Sequence, residues 1–390
     1  MVKKDDKDKF ATLAAARAYL LKQEGEGALI SMSGDVEPVP VIPSGSFLID
    51  LITGIGGFPQ GRILEFFGPE SSGKSTVLSS CAAQCQKMGK PVLYLDFENA
   101  LDKRYLAAQG VDLSDDMFLY SQPDSMEQGF RIAAYCMEKG LIGLIVADSV
   151  AAMITEAEAA GEVGNTHAGG IAQPARVMSV SLKKLVPLCS SSGATLAFIN
   201  QIRTQMPTTP FEKQKGITTE TTPGGKSLKF YSSMRVKFKR VGAGVKGKVF
   251  DPVKGIWGDG IVANKVQAEV VKNKMAPPFR KAEFIIRYGI GIDDVMSLVM
   301  VAIDRNILEK NGSFITIPAI YHGTGMTTKL QGLEKTCDYF RNEFPPGFIK
   351  LEEDLRALIK ENLDDAGSQA YQSEADDDDL VEGLFEEGAE

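Results

Sequence analysis

The chain has only two histidines and five cysteines in 390 residues, and no two cysteines stand in a C-x-x-C spacing. Tetrahedral zinc sites are built from such clusters, so the sequence argues against a zinc centre. Cys81 and Cys85 fall about one helical turn apart, and with Cys136, Cys189 and Cys337 they read as reduced core residues. Long apolar runs are missing too: no stretch reaches the ~18 residues of a membrane span. The opening "MVKKDDKDKF" mixes both charge signs and lacks an apolar h-region, which argues against export or a membrane and for a cytoplasmic protein. Tryptophan is represented once, at Trp257.

A net charge of −8 argues against nucleic-acid binding at first sight. The charge is unevenly spread. Residues 374–390, "EADDDDLVEGLFEEGAE", hold nine acids and no base, so the rest of the chain is slightly basic. The segment 364–390 reads as an acidic, disordered tail. The remainder, in a chain 44% hydrophobic and 24% charged, has ordinary globular composition, long enough for two or three domains.

Residues 9–24, "KFATLAAARAYLLKQE", read as one amphipathic helix closed by Gly25, within an N-terminal segment 1–33. A stretch with Pro and Gly, 34–61, separates it from the rest of the chain. From Arg62 onward short apolar runs alternate with helical patterns: "RILEFF" (62–67), "PVLYLDF" (91–97), "LIGLIVAD" (141–148) and "ATLAFI" (194–199). Such runs suit parallel strands buried on both faces, in an α/β core with a mostly parallel sheet. The core is expected over 34–290, with a small α/β domain over 291–363.

"GPESSGKST" carries the G-x-x-x-x-G-K-S spacing of a P-loop, after an expected strand and before an expected helix, as the motif requires. Gly68, Pro69, Glu70, Ser71, Ser72 and Gly73 would turn backbone N–H groups toward ATP phosphates, with Thr76 on the same turn. Lys74 would reach the β- and γ-phosphates, and Ser75 would ligate Mg²⁺. Two further strands end in acids. Asp148 suits a Mg²⁺ carboxylate, and Glu98 suits a general base on water. Three such features on successive strands favour hydrolysis over phosphoryl transfer to a small molecule.

Two long stretches, 156–178 and 200–230, come after the next strand ends and are rich in Gly, Thr and Pro. The second carries Arg203, Lys213, Lys215, Lys226 and Lys229, and "RVKFKR" (235–240) lies just beyond it. Basic residues beside Gly-Thr loops hold phosphate backbones without reading bases; a solvated face is the plainer alternative.

The stretches "GPESSGKST", "LDFENALD" (95–102), "ADSVAAM" (147–153), "FINQIR" (198–203), "GGKSLKFY" (224–231) and "VVKNKMAPPF" (270–279) together resemble the RecA family of bacterial DNA strand-exchange recombinases. The resemblance implies a DNA-dependent, Mg²⁺-requiring ATPase. It would form a helical homo-oligomeric filament on single-stranded DNA and exchange strands with homologous duplex DNA. A LexA-type repressor and single-strand-binding or mediator proteins are further partners it implies. It assigns Glu98 as the catalytic glutamate and Asp102 and Tyr105 to the adenine. Gln201 becomes the γ-phosphate sensor, and Lys272 and Lys274 reach the neighbouring subunit's γ-phosphate. Arg176, Ser179, Lys183, Arg203, Gly224, Gly225 and Lys226 fall on DNA-contacting positions, and Met206 on an apolar wedge between base triplets. The resemblance also favours docking of the N-terminal helix on a neighbour over packing on its own core. The chain departs from the family pattern in both loops, which are longer, in Asn99, and in the insertion "DPVKGIWGDG" (251–260). A ring-forming helicase or clock-type ATPase on the same core, and a DNA-binding scaffold with structural nucleotide, stand as alternatives. Neither accounts for all these stretches: the ring leaves "VVKNKMAPPF" unexplained, and intact Lys74, Glu98 and Asp148 speak against the scaffold.

Overall fold

The computed structural model describes residues 12–25, 29, 38–161, 173–205, 219–252 and 255–358. Compactness divides the chain at residue 39. The N-terminal unit contains helix α1, Leu13–Glu24, with Thr12 accepting from the Ala15 amide at its start. The amphipathic expectation fails here. The alanines and leucines are spread round the helix, none of its residues is buried, and Leu13 is 88% exposed.

In the second unit residues 40–61 are core rather than a separating stretch. They form β1 (Val41–Ile42), α2 (Phe47–Ile52) and β2 (Phe58–Pro59), and bury Ile42, Phe47, Leu48, Ile49, Ile52 and Phe58. Beyond them lie β3 (Ile63–Gly68), α3 (Lys74–Lys87), β4 (Val92–Asp96), α4 (Lys103–Ala108), β5 (Phe118–Ser121) and α5 (Met126–Glu138). Next come β6 (Leu144–Asp148), α6 (Glu156–Ala159), α7 (Gln173–Ser192), β7 (Thr195–Gln201), β8 (Arg203–Gln205) and β9 (Thr219–Thr221). Helix α8 (Gly225–Tyr231) leads into β10 (Met234–Arg240), β11 (Val245–Asp251), β12 (Ile256–Asn273), β13 (Lys281–Arg287) and β14 (Gly291–Ile292). The last part holds α9 (Asp294–Asp304), β15 (Glu309–Asn311), β16 (Phe314–Ile317), β17 (Thr328–Gln331) and α10 (Leu333–Asp338), then helical residues 345–358.

The main sheet runs β14-β13-β12-β10-β3-β7-β6-β4-β5, with β11 on β12. From β10 to β5 all neighbours are parallel. The four strands read from sequence lie in this half. Their alternation explains why they look uniformly apolar: Leu64, Phe66, Val92, Tyr94, Leu144, Val146, Ala197 and Ile199 face one apolar cluster. Ile63, Leu93, Leu95, Ile145, Ala147, Leu196 and Phe198 face the other. Helices cover both faces, the arrangement that buries a parallel sheet completely. The β12–β14 side is antiparallel. Residues of the last part, including Ile315, Phe340 and Leu355, join the first cluster. All five cysteines are buried and unpaired. No helix among the described residues is long and apolar enough to cross a membrane.

Candidate nucleotide and nucleic-acid site

The P-loop occupies the turn from β3 into α3. Gly68 passes so close to β10 that an added Cβ would lie 2.2 Å from the Phe238 carbonyl oxygen, so no other residue fits. Gly73 caps α3 in the left-handed region at φ 91°. Lys74, the first helical residue, is 7% exposed. Its ammonium folds back to donate to the Gly68 carbonyl at 3.1 Å and the Pro69 carbonyl at 2.7 Å. Burial pushes its pKa down, against the charges of Asp148, Glu98 and Glu70.

Ser75 and Asp148 are brought together: Ser75 Oγ donates to Asp148 Oδ2 at 3.2 Å. Tyr94 donates to the same oxygen at 2.7 Å. Burial raises the Asp148 pKa to about 6; the Tyr94 hydrogen bond opposes this and the Glu98 charge adds to it. Glu98 stands on the exposed turn after β4, where Ser149 Oγ donates to its Oε1. That turn is held by Asp96, to which sequence reasoning gave no role. Buried Asp96 accepts from the amides of Glu98 at 3.2 Å and of Ala100 and Leu101 at 3.1 Å, and from the Tyr120 hydroxyl at 2.9 Å. The acid–acid repeat in "LDFE" was its only signal.

Asp102 spends its carboxylate capping α4, accepting from Arg104 N at 2.8 Å and Tyr105 N at 3.3 Å. This sets Tyr105 beside the P-loop, its hydroxyl 3.0 Å from Thr76 Oγ1. A cavity of about 230 Å³ opens between Ser71–Thr76 with Tyr105 on one side, and Arg240, Asn264 and Tyr288 on the other. Arg240 Nε donates to the Ser71 carbonyl at 2.7 Å, and Tyr288 donates to Asn264 Oδ1 at 2.9 Å. In this second wall Arg240 closes the "RVKFKR" stretch on β10, whereas Asn264 on β12 and Tyr288 just beyond β13 carry no sequence motif. Asp102 lies instead in an adjoining cavity of about 180 Å³, with Ser75, Asp96, Glu98 and Asp148.

These residues fit a metal–nucleotide. A buried ammonium held by two carbonyls and, at 3.5 Å, the Ser72 hydroxyl of its own loop, at a helix N-terminus, has donors to give to phosphate oxygens. One hydroxyl beside one carboxylate is a Mg²⁺-type donor set, completed by phosphate and water rather than by a protein cage. No cluster of three His, Cys, Asp or Glu suited to a metal occurs among the described residues.

Gln201 ends β7 opposite Gly68, so the P-loop and the foot of the second loop are cross-strand neighbours. Beside it, buried Asn200 donates to Glu65 Oε1 and to the Pro223 carbonyl, each at 2.9 Å, and accepts from Gln201 N at 3.0 Å. Glu65 is 0% exposed and paired at 2.5 Å with Arg235. Arg235 in turn lies 4.5 Å from the Phe67 ring centroid.

The described ends of the two loops converge. Arg203 pairs with Thr221 at the base of the β8–β9 hairpin. Gly224 and Gly225 take φ of 88° and 72°; an added Cβ would meet Val150 at 3.1 Å and Ala175 at 3.3 Å respectively. The second loop therefore ends against the start of α7, with exposed Lys226 next in the chain. On α7, Arg176, Ser179 and Lys183 share a face by spacing, opposite buried Met178, Leu182 and Leu185. Met206, Lys213 and Lys215 lie outside the described residues, as does the stretch 374–390.

Lys272 and Lys274 are far from their own P-loop. Asn264 and Val266 of β12 line the P-loop cavity; Lys272 lies about 20 Å further along the same strand. It donates to the carbonyls of Lys229 at 2.7 Å and Phe230 at 2.9 Å. Burial lowers its pKa, and the charges of Lys274 and Arg235 add to this.

A family model for the RecA N-terminal domain matches residues 11–293. The chain is similar to the protein RecA of Ruminococcus albus, 40% identical over 370 residues, covering 94% of this chain and 84% of that one. To the protein RecA of Thermus aquaticus it is 40% identical over 364 residues, 92% of this chain and 96% of the relative. To that of Treponema denticola it is 39% identical over 357 residues, 90% and 78% of the two chains.

Proposed function

The chain belongs to the RecA family, the DNA strand-exchange recombinases of recombination and repair, and from that premise we propose a division of labour among its residues in an ATPase that assembles as a filament on DNA. Membership speaks against the ring-ATPase and scaffold alternatives. Mg–ATP, when bound, supplies the phosphoryl group that water accepts and a metal charge that offsets the phosphates. Lys74 exchanges its two loop carbonyls for phosphate oxygens, and Ser75 and Asp148 hold the metal side. Glu98, with one carboxylate oxygen occupied by Ser149, takes the proton from water at the other. Tyr105, Arg240 and Tyr288 flank the base and sugar. Lys272 and Lys274 serve the site of the adjacent subunit, since their own P-loop lies about 20 Å away.

The pairing of Gly68 with Gln201 carries the reading. A residue one strand from the phosphates begins the segment that leads into the basic loop, so nucleotide state and DNA grip share a boundary. Arg203, Gly224, Gly225, Lys226, Arg176, Ser179, Lys183 and Met206 form the DNA surface in this proposal. Gln201→Ala is expected to bind a fluorescent ATP analogue normally while the nucleotide no longer raises affinity for an oligothymidylate. Retention of that rise, by fluorescence anisotropy, would refute the coupling role.

A further inference from the structure

Beyond Ala263 the main sheet narrows to two strands. β11 stays paired with β12 out to Asp251↔Ile256, whereas β13 leaves β12 at Ala263. The register sorts this ribbon's side chains. Lys246, Lys248 and Phe250 share a face with their partners Ile261, Asp259 and Trp257; Val249 and Ile256 occupy the other face. The rings of Phe250 and Trp257 sit 5.5 Å apart. They cover each other poorly: Phe250 is 47% exposed and Trp257 67%. Val249, Ile256 and Ile261 are exposed as well. Large apolar side chains gathered on a projecting ribbon mark an interaction site rather than a stabilising core. Lysines accompany them. Lys248 bonds Asp259 at 2.6 Å, and that bond, aided by the charge of Lys246, holds the Asp259 carboxyl below its usual pKa.

We propose that this ribbon is the docking site of the chain's own acidic stretch, residues 374–390, within the same molecule. "EADDDDLVEGLFEEGAE" is not uniformly polar: Leu380, Val381, Leu384 and Phe385 stand among nine acids. Those four side chains match an apolar host, and the flanking acids match one set with lysines. Reach is sufficient. From residue 358 to Leu380 the chain can span up to ~70 Å, more than the ~50 Å diameter of a body this size. A tether of this kind gives an effective concentration of roughly 1 mM, so a contact with a Kd of about 0.1 mM leaves about nine molecules in ten docked. Single-stranded DNA could stack on the two rings. It offers no aliphatic surface, however, to Ile261, which is exposed on the same face as the rings.

Trp257 is the chain's only tryptophan, so its emission reports on the ribbon alone. In the full chain, without nucleotide or DNA, emission is expected to be blue-shifted and acrylamide quenching weaker than in a chain ending at residue 373. The full-chain signal is expected to be independent of protein concentration. Adding a synthetic 374–390 peptide to the shortened chain is expected to restore both properties saturably; the same peptide with L384D and F385D is not. Ile261→Asp, on the face that carries Phe250 and Trp257, is expected in the full chain to reproduce the shortened chain's spectrum. Identical emission and quenching with and without residues 374–390 would overturn the proposal, as would a signal that appears only with rising protein concentration. Saturable quenching of Trp257 by oligothymidylate, undiminished by the peptide, would assign the ribbon to nucleic acid instead.

Discussion

Asn200→Ala tests how the nucleotide and DNA sites are joined. Asn200 is buried and holds three groups: Glu65 Oε1 and the Pro223 carbonyl at 2.9 Å, and the Gln201 amide at 3.0 Å. Truncation leaves the Glu65 carboxylate short of one hydrogen bond and strands two backbone groups. A hydrogen bond to a charged group contributes about 1.5–3 kcal/mol, and each stranded neutral group costs about 1–3 kcal/mol. Water entering the vacated space recovers part of this, so a loss of about 3 kcal/mol is expected. Asn200→Asp would set a second carboxylate against Glu65, with Arg235 the cation paired to Glu65. One proton would then be held by the acid pair, and the variant's defect should ease as pH falls.

Stability alone would not separate a coupling role from a structural one. The informative measurement is oligonucleotide affinity with and without a non-hydrolysable ATP analogue, beside urea unfolding followed by circular dichroism. Couplings between sites amount to about 1–3 kcal/mol, a factor of roughly 5–150. Asn200→Ala is expected to keep the nucleotide-free affinity within about threefold and to lose most of the nucleotide-induced gain. If the protein loses about 3 kcal/mol yet nucleotide raises DNA affinity by the parent's factor, the network is structural and coupling runs elsewhere. An unchanged urea midpoint would refute the hydrogen-bond accounting itself.

Glu98→Gln retains an acceptor for Ser149 but cannot take a proton, so kcat is expected to fall by about 10²–10⁴ with nucleotide affinity nearly intact; parent-like turnover would remove Glu98 from catalysis. Asp294 accepts from Phe47 N at 3.1 Å, and burial raises its pKa to about 7, with Glu352 and Asp50 adding to the rise. Because the folded pKa is raised, its stabilisation is complete below the unfolded pKa near 4 and is lost as pH climbs to about 7, at ~1.4 kcal/mol per pH unit. Asp294→Asn keeps the acceptor and removes that slope, so urea midpoints measured from pH 5 to 8 should converge on or overtake the parent's as pH rises; parallel profiles would contradict the shift. Lys272→Ala/Lys274→Ala protein should bind nucleotide, hydrolyse it poorly, and regain DNA-stimulated ATPase when co-assembled with Lys74→Ala protein. Co-assembled mixtures with no recovery at any ratio would place the lysines in their own subunit's service.

Legibility in the sequence depends on how far apart the cooperating residues lie. The P-loop is a contiguous turn, and Glu98 and Asp148 mark the ends of short apolar strands, so spacing and pattern suffice to find them. Glu65 sits inside "RILEFF", where it looks like an exception in an apolar run; its partner Arg235 lies 170 residues away, and only strand order brings them together. The same holds for Asn264 and Tyr288, which reach the P-loop from the antiparallel side of the sheet and carry no motif; Arg240, the last residue of "RVKFKR", reads there only as a basic residue beyond the second loop. Residues 40–61 read as a separator because of their Pro and Gly, yet Ile42, Ile49 and Phe58 are 0% exposed. There composition outweighed the apolar positions, which were the better guide.

Strand polarity supplies the link from this architecture to a filament. The parallel half of the sheet delivers every strand C-terminus, and with it the P-loop, Glu98, Asp148 and Gln201, to one edge. β12 runs the other way, so its C-terminal residues Lys272 and Asn273 lie level with Arg235 and Met234, which pair with Glu65 and Leu64 upstream of the P-loop. If Lys272 and Lys274 serve a neighbour, the nucleotide site at one edge of the sheet is completed by cations that lie toward the opposite edge of the next subunit. Two unlike surfaces of one molecule that complete each other make a head-to-tail contact, which extends without closing unless the rotation happens to return to its start. If the site is completed in this way, assembly on DNA would switch hydrolysis on by bringing neighbours together, with no large rearrangement inside any subunit.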